Sequence, residues 1–214
     1  MGCTVTLSLR DVKRSLTEQT IAEKGAALFK DRGFAQVSVR QIAKASLVSE
    51  KTVFNYYPYK ELIVLAGVQP ALVEFMGEIQ AQIDAITEPT EVLCNFSMKL
   101  ADLCTASPDS MAMVVSELLT LDPDRLALAM RYIPDLYGPI RTVMTLARAQ
   151  GKLRPEIRVE LVTDLFLSSV LNLVRAQFAA GHIERLRPML SATMEIFLYG
   201  AFRMPAAGPT NHQE

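Results

Sequence analysis

Three side chains that can hydrogen-bond to nucleic acid share one side of a short predicted helix. Thr52, Asn55 and Tyr56 follow one another at i, i+3, i+4 spacing, which places them on the same helical face. A hydroxyl can donate to a phosphate oxygen, and a carboxamide matches the hydrogen-bonding edge of adenine. The types and spacing of these residues therefore predict a surface that contacts a nucleic acid.

Basic residues surround this helix. Arg40 is placed to reach a phosphate or a guanine edge, Lys51 lies on the exposed side, and Lys60 begins the next helix, where it is predicted to point to a phosphate. The chain has a net charge of −1, yet residues 1–60 carry ten Lys and Arg against five Asp and Glu, whereas residues 61–214 carry twelve against eighteen. The basic end is the end expected to bind nucleic acid, although each cation could instead be a solvated surface charge.

Local signals position these side chains on a helix-turn-helix. Ser38 with Gln41 three residues later is a capping box, which predicts a first helix. The run Ser46–Val48 breaks the apolar period, Ser49 offers a second N-cap, and Pro58 ends the second helix. Two short helices with a polar outer face are what reading of the DNA major groove requires.

The segment from about Thr17 to Leu65 resembles the DNA-binding domain of TetR-family transcriptional regulators. The positions of matching residue type are Ile21, Leu28-Phe29, Gly33-Phe34, Ser38-Val39-Arg40, Ile42-Ala43, Val48-Ser49, Thr52, Tyr56-Tyr57 and Lys60-Glu61-Leu62. The resemblance implies a three-helix N-terminal domain, a helical domain for ligand binding and dimerisation, and repression relieved by a small molecule. The predicted DNA-binding residues are Ser38, Arg40, Lys51, Thr52, Phe54, Asn55, Tyr56 and Lys60.

The chain departs from the family pattern in the turn and on the second helix. Leu47 stands where the family usually has glycine, and a branched side chain disfavours positive φ, so the turn either costs about 1–2 kcal/mol or adopts another conformation. Phe54 stands where many members have tyrosine, which replaces a hydrogen bond to phosphate by an apolar contact, such as one with a thymine methyl group. Glu50 would have to accept a hydrogen bond from cytosine or point away from DNA.

The amino-acid composition and the positions of helix-breaking residues predict an all-α chain of two domains. Ala, Leu and Met are abundant, and no alternating strand pattern of useful length occurs. The predicted parts are a basic arm with the helix-turn-helix domain over residues 1–60, a helical ligand-binding and dimerisation domain over residues 61–204, and a loose tail over residues 205–214. The first helix is predicted to open at Thr17, after a polar lead that is disordered or acts as a DNA-contacting arm. Pro70 is predicted to break or kink the helix between the domains.

Methionine and aromatic residues beyond residue 60 are candidates for an effector pocket, although plain core packing would give the same pattern. The candidates are Phe75, Met76, Phe96, Met98, Met113, Met130, Tyr137, Met144 and Phe166. Their side chains predict an effector that is apolar or weakly polar and partly aromatic.

Two apolar stripes near the C-terminus predict a homodimer interface. Their residues are Val162, Phe166, Ser169, Leu173, Leu186, Leu190, Thr193 and Phe197. The second stripe repeats at 4-3-4 spacing, as in a coiled-coil seam, and further apolar residues lie off both stripes. A four-helix interface between two copies would bury both sides, whereas packing within one protomer is the alternative.

Catalytic, metal-binding and membrane-spanning patterns are missing from the sequence. The histidines, His182 and His212, lie in a turn and in the tail, so a Ser-His-Asp triad has no good candidate, and no phosphate loop or metal-ligand cluster occurs. We therefore expect neither an enzyme nor a cofactor. The longest run without a charged residue, Leu62–Val73, is too short to span a bilayer, and no signal-peptide pattern occurs.

The sequence thus predicts a cytoplasmic transcriptional regulator that acts as a repressor. It is expected to bind a palindromic operator in double-stranded DNA as a homodimer and to be released by a small-molecule effector. The alternative is a helical small-molecule-binding dimer without DNA binding.

Overall fold

The computed structural model describes residues 8–85, 88–120 and 122–201, which form α-helices and two 3-10 turns with no β-strand among them. The helices are α1 (Leu9–Arg32), α2 (Val39–Ala45), α3 (Glu50–Tyr56), α4 (Glu61–Asp84), α5 (Pro89–Ala106), α6 (Pro108–Leu118), α7 (Pro123–Ala129), α8 (Tyr137–Ala149), α9 (Val159–Ala180) and α10 (Leu186–Ala201). The 3-10 turns are Phe34–Gln36 and Ile183–Arg185. The all-α prediction is confirmed, and the predicted tail at 205–214 lies outside the described residues.

The described helices belong to two compact units. The first contains residues up to Leu72 together with Ser116–Pro134, and the second contains Val73–Val115 together with residues from Asp135 onwards. The first unit therefore continues past residue 60, where the sequence places a domain boundary. Buried side chains from α1, α2, α3 and the start of α4 form its core: Ile21, Ile42, Val53, Tyr57 and Ile63.

Helix α1 begins eight residues earlier than predicted. Ser8 is its N-cap, with the Ser8 hydroxyl accepting from the Asp11 amide at 3.2 Å and the Asp11 carboxylate accepting from the Ser8 amide at 3.3 Å. The prediction of a polar lead before Thr17 is therefore wrong from Leu9 onwards. The apolar side chains of these first turns, Leu9 and Leu16, are exposed, so apolar burial gives no signal for the start of the helix, whereas the capping box does.

Helix α4 is continuous through Pro70, so the predicted break is wrong, whereas the alternative of a kink stays a prediction. Proline removes only one hydrogen bond, the one that its missing amide would have donated to the Ala66 carbonyl. Leu62, Leu65 and Leu72 are buried on either side of this point, and their packing holds the helix together. By length and composition α4 is the one described helix that could cross a membrane, but 44% of its most apolar window is buried inside the protein, as in an ordinary core helix.

Gly25 lets α1 approach the rest of the first unit closely. A Cβ atom at this position would lie 2.4 Å from Cγ2 of Ile63, which is fully buried and cannot move aside freely. We expect Gly25→Ala to lower the free energy of unfolding by about 1–2 kcal/mol, because overpacking outweighs the better helix propensity of alanine. Urea denaturation measures this change.

Gly77 provides the matched control for this prediction. It lies in helix α4 as an exposed residue, and a Cβ atom added there would meet nothing within 4 Å. Gly77→Ala should therefore raise the free energy of unfolding by up to about 1 kcal/mol. Equal effects of the two substitutions would contradict the close approach at Gly25.

Candidate nucleic-acid interface

Two serine caps define the helix pair α2 and α3. The Ser38 hydroxyl accepts from the Gln41 amide at 3.3 Å, and the Gln41 side chain accepts from the Ser38 amide at 2.7 Å, so the predicted capping box is confirmed. The Ser49 hydroxyl accepts from the Thr52 amide at 3.0 Å, as predicted for the second N-cap. Both serine hydroxyls thus serve the fold, and a DNA contact by Ser38 stays a prediction.

Helix α3 presents a mixed polar and aromatic outer face. Val53 and Tyr57 are buried, whereas 47% of Phe54 is exposed. Of the other predicted contact residues, Arg40, Lys51 and Asn55 are exposed and Thr52 and Tyr56 are half-buried. The Thr52 and Ser49 hydroxyls lie 2.8 Å apart. The predicted residues of α3 are therefore at least partly accessible, so that they can meet a base or a phosphate.

Leu47 occupies the glycine position of a Schellman motif at the end of α2. Its φ is +56°, and it is the only non-glycine residue with positive φ among those described. The Val48 amide donates to the Ala43 carbonyl at 3.0 Å and the Leu47 amide to the Lys44 carbonyl at 3.3 Å, which are the two bonds of this motif. Of the two expected outcomes, the chain thus adopts the strained turn rather than another conformation.

We expect Leu47→Gly to raise the free energy of unfolding by about 1 kcal/mol, because glycine adopts positive φ without steric cost. The Leu47 side chain is 93% exposed, so its removal forfeits almost no burial. Leu47→Ala is the control, since it removes the same side chain but keeps a Cβ atom. Thermal denaturation should rank glycine above both leucine and alanine, and a glycine variant no more stable than the alanine variant would contradict the strain.

Lys60 contacts protein backbone in this structure. Its ammonium group donates to the Phe34 carbonyl at 2.8 Å and to the Val37 carbonyl at 2.9 Å, and lies 3.9 Å from the centre of the Phe34 ring. These bonds join the start of α4 to the segment just before the Ser38 cap. The structure thus gives Lys60 a positioning role that the sequence did not predict, and its contact with phosphate stays a prediction.

Comparison with known proteins places this helix pair in a family. The sequence model described as bacterial regulatory proteins, tetR family, matches residues 21–66. Thermus thermophilus FadR, a TetR-family repressor solved with lauroyl-CoA, is 30% identical, with 90% of this chain and 98% of that one covered and a TM-score of 0.76. The chain belongs to the TetR family of transcriptional regulators.

A further solved structure shares the fold at lower identity, and a curated regulator matches part of the sequence. Bacillus subtilis FadR, solved with stearoyl-CoA, is 17% identical, with 85% of this chain and 97% of that chain covered and a TM-score of 0.67. The regulator HbdR of Aromatoleum sp. (strain CIB) is 27% identical over 96 residues, and this match spans only 41% of the chain and 42% of HbdR. The TetR-family assignment makes this protein a DNA-binding regulator, a class whose members are not enzymes.

A tyrosine-glutamate network in the first unit of this TetR-family protein was missed by sequence reasoning. The Tyr132 hydroxyl donates to the Glu18 carboxylate at 3.0 Å, and the Tyr57 hydroxyl donates to the Glu18 carbonyl at 3.0 Å. The two tyrosine rings lie 5.9 Å apart. Because Tyr57 is the C-cap of α3, this network joins helix α3 to α1 and to the segment after α7.

A second missed cluster centres on a buried carboxylate. Glu117 is 4% exposed and forms an ion pair with Arg125. The Arg125 guanidinium lies 4.4 Å from the centre of the Tyr59 ring, and the Tyr59 hydroxyl donates to the Arg125 carbonyl at 3.2 Å. Tyr59 lies two residues before α4 begins at Glu61, so this cluster fixes the residues that follow helix α3. The ion pair joins residues 8 positions apart, whereas Tyr59 meets Glu117 and Arg125 across 58 and 66 positions, a separation at which local sequence pattern gives no signal.

The tyrosine network predicts a loss of stability at alkaline pH. Burial, reinforced by the Glu18 carboxylate, raises the pKa of Tyr132 from 10.0 to about 12. Because the folded pKa is the higher one, this stabilisation is complete below pH 10 and is lost as pH rises from 10 to about 12. Urea unfolding followed across this range should show a falling free energy of unfolding, with a shallower fall in Tyr132→Phe; identical pH profiles would contradict the assignment.

The candidate effector residues fall into two groups. Phe75, Phe96 and Phe166 are buried together, with ring centres 5.2 Å and 5.7 Å apart along the series. Met76 and Met144 are also buried, and Met98 and Met113 are half-buried. Tyr137 is exposed, and Met130 is exposed and belongs to the first compact unit rather than to the second. The phenylalanine row is the part of the prediction that the structure brings together.

The predicted dimer stripes face the interior of the protomer. Val162, Phe166, Leu186 and Leu190 are buried, Leu173, Thr193 and Phe197 are half-buried, and only Ser169 is exposed. In α10 the stripe runs along the buried side, whereas in α9 the buried side continues through Val170 and Val174 instead of Ser169 and Leu173. Helices α9 and α10 pack their buried sides against each other and against α8 and α5. The burial of Val162, Phe166, Leu186 and Leu190 thus agrees with the alternative of packing within one protomer, and a contact of these stripes with a second copy stays a prediction. The exposed apolar side chains of these helices are Leu161, Leu165, Met189, Ile196 and Tyr199.

Proposed function

We propose that this TetR-family protein is a homodimeric repressor that binds a palindromic operator and is released by an acyl-CoA thioester. The observation that supports DNA reading most directly is the capped pair α2 and α3, which keeps Arg40, Lys51, Phe54 and Asn55 exposed on the helix-turn-helix. Two copies related by a two-fold axis would present two such helix pairs to successive major grooves. The protein would act in the cytoplasm, where its operator lies.

The exposed side of α9 and α10 supports the proposed homodimer. Leu161 and Leu165 are 45% and 51% exposed and lie one turn apart on α9, and Ile196 and Tyr199 are 74% and 54% exposed on α10. Large apolar side chains grouped on two neighbouring helices mark a surface that another chain covers. A self-complementary interface would pair this surface with its own copy. Leu165→Glu should therefore yield monomers in sedimentation analysis.

The effector class is proposed from a relative and from the interior of the second unit. The 30% identical relative was solved with lauroyl-CoA. A long acyl chain needs an apolar environment, and the row of Phe75, Phe96, Phe166 and Phe197, with neighbouring ring centres 5.2–5.7 Å apart, supplies apolar side chains on four helices. Ligands that bind between such rings would displace aromatic contacts and so alter the packing of these helices.

The two clusters of the first unit connect the segment Ser116–Pro134 to α1 and to the residues that follow helix α3. Tyr132 and Arg125 belong to the segment Ser116–Pro134, while their partners Glu18 and Tyr59 belong to α1 and to the residue pair before α4. A shift of this segment would alter both contacts together. We propose that acyl-CoA binding in the second unit changes the spacing of the two helix-turn-helix units of the dimer.

Fluorescence anisotropy with labelled DNA from the upstream region of the protein's own reading frame tests DNA binding. Arg40→Ala and Asn55→Ala should weaken binding by about 1–3 kcal/mol each, and binding should fall steeply with salt because phosphates are neutralised. Lys24→Ala is the matched control, because Lys24 is an exposed cation on α1 outside the helix-turn-helix. Wild-type affinity for DNA in both Arg40→Ala and Asn55→Ala would contradict the proposed interface.

Titration of the protein-DNA complex with lauroyl-CoA tests the effector class. Lauroyl-CoA should release DNA, whereas free CoA and laurate at the same concentration should not. Phe96→Ala should raise the lauroyl-CoA concentration needed for release without changing affinity for DNA. A dimer that binds lauroyl-CoA but shows no salt-sensitive DNA binding would favour the alternative of a small-molecule-binding protein without an operator.

A further inference from the structure

We infer that a groove between α1 and α4 in the first unit is a binding site for a primary ammonium ion carried on a small apolar body. The groove has a volume of about 510 Å³, which is within the range of small-molecule sites. It lies outside the predicted DNA-contacting residues and the proposed acyl-CoA site, although Tyr57, the C-cap of α3, is one of its lining residues. The site goes beyond the proposed function, because its occupancy does not depend on operator binding.

The groove exists because the two helices meet at small residues and then diverge. A Cβ atom at Gly67 would lie 2.8 Å from the Ala26 Cβ atom, so the helices are closest there. Towards the N-terminus of α1 the walls carry longer side chains, including Ser15, Gln19 and Gln69. Alanines and Pro70 give the groove an apolar floor, which suits an aryl or alkyl body.

The charged residues that line the groove are acidic. Glu18 and Glu23 contribute two carboxylates, and no lysine or arginine lines the groove. Ala66, which also lines it, has a carbonyl without its intrahelical donor, because residue 70 is proline and lacks an amide hydrogen. Acidic lining residues together with a carbonyl that lacks its usual donor match a group with several N–H donors and a positive charge.

Glu18 already contacts a cation in the protein. The Arg131 guanidinium lies 4.0 Å from Glu18 Oε1, with 54% of the Arg131 side chain exposed. Tyr132 donates to the same oxygen, which leaves Oε2 of Glu18 without a hydrogen bond or ion pair to another described residue. Arg131 is therefore an internal competitor for the Glu18 carboxylate, and an ammonium group at Oε2 would share that carboxylate with it.

Isothermal titration of the full-length protein without DNA tests the site, with phenethylammonium chloride as the probe and 2-phenylethanol as its neutral isostere. Phenethylammonium should bind at least about tenfold more tightly than the alcohol, since charge-assisted hydrogen bonds are about twice as strong as neutral ones. Glu18→Gln should weaken binding of the amine by about tenfold. Glu195→Gln is the matched control, because Glu195 is an exposed carboxylate on α10 far along the chain from the groove.

Two further variants separate the site from a general loss of structure. Arg131→Gln removes the internal competitor and should tighten amine binding several-fold. Pro70→Ala restores the donor to the Ala66 carbonyl, so the protein should melt at a higher temperature and yet bind the amine less tightly. Equal binding of amine and alcohol, no heat of binding, or wild-type affinity in both Glu18→Gln and Pro70→Ala would overturn the inference and leave the proposed operator binding untouched.

Discussion

Lys60→Met is expected to lower the free energy of unfolding by about 2 kcal/mol, because it leaves two backbone carbonyls without their donor. The Lys60 ammonium group donates to the Phe34 and Val37 carbonyls and lies over the Phe34 ring. Methionine retains the apolar stem and so isolates the ammonium group. Urea denaturation measures the loss, and Lys60→Arg should recover part of it, because a guanidinium group still offers donors to both carbonyls.

The same variant distinguishes a positioning role of Lys60 from a phosphate contact. A lysine bound to phosphate contributes about one unit to the slope of log affinity against log salt. If Lys60 stays on the Phe34 and Val37 carbonyls in the complex, Lys60→Met will weaken DNA binding without changing that slope. If it transfers to a phosphate, the slope will fall by about one unit. A variant with unchanged stability would contradict the contacts described.

Arg125→Met is expected to lower the free energy of unfolding by about 2–4 kcal/mol, because it leaves the buried carboxylate of Glu117 without an ion-pair partner. The Glu117 side chain is 5% exposed and that of Arg125 is 39% exposed. Water can therefore hydrate the Glu117 carboxylate only in part when the arginine is removed. Arg125→Met also removes the stacking of guanidinium on the Tyr59 ring. Thermal and urea denaturation should both show the loss.

The double variant Glu117→Gln, Arg125→Met is the decisive control. It removes both charges, so no buried carboxylate is left unpaired, and it should recover much of the stability lost in Arg125→Met. Arg141→Met is a matched single control, because Arg141 forms an ion pair with Glu160 in which both side chains are more than half exposed; it should cost at most about 1 kcal/mol. Equal costs for Arg125→Met and Arg141→Met would contradict the buried pair.

The sequence predicts helix starts well where a side chain caps the backbone. Ser38 and Ser49 are predicted as caps from local pattern, and each accepts from a backbone amide of the helix that it begins. Ser8 carries the same signal, but the apolar side chains of the first turns of α1 are exposed, so apolar periodicity does not mark this start. Capping is a local interaction, so it can be recognised from four consecutive residues of the sequence.

Interactions between distant residues could not be predicted in the same way. Lys60 and Phe34 are 26 positions apart and Tyr132 and Glu18 are 114 apart, so each side chain looks like an ordinary surface residue until the helices are packed. The C-terminal stripes show the related limit. Periodicity says which side of a helix is most apolar, but whether that side meets its own protomer or another one depends on the whole fold.

The caps on α2 and α3 carry a consequence for local opening. Each helix has only seven residues, which is too short to persist without tertiary contacts, since isolated helices below about 12 residues are marginal in water. Val53 and Ile42, on their inner faces, are fully buried against the remainder of the first unit. The Val53 and Tyr57 amides are hydrogen-bonded to the Ser49 and Val53 carbonyls, and we expect them to exchange with solvent when the first unit opens rather than by opening of α3 alone. The lifetime of α3 is therefore set by the scaffold that holds it.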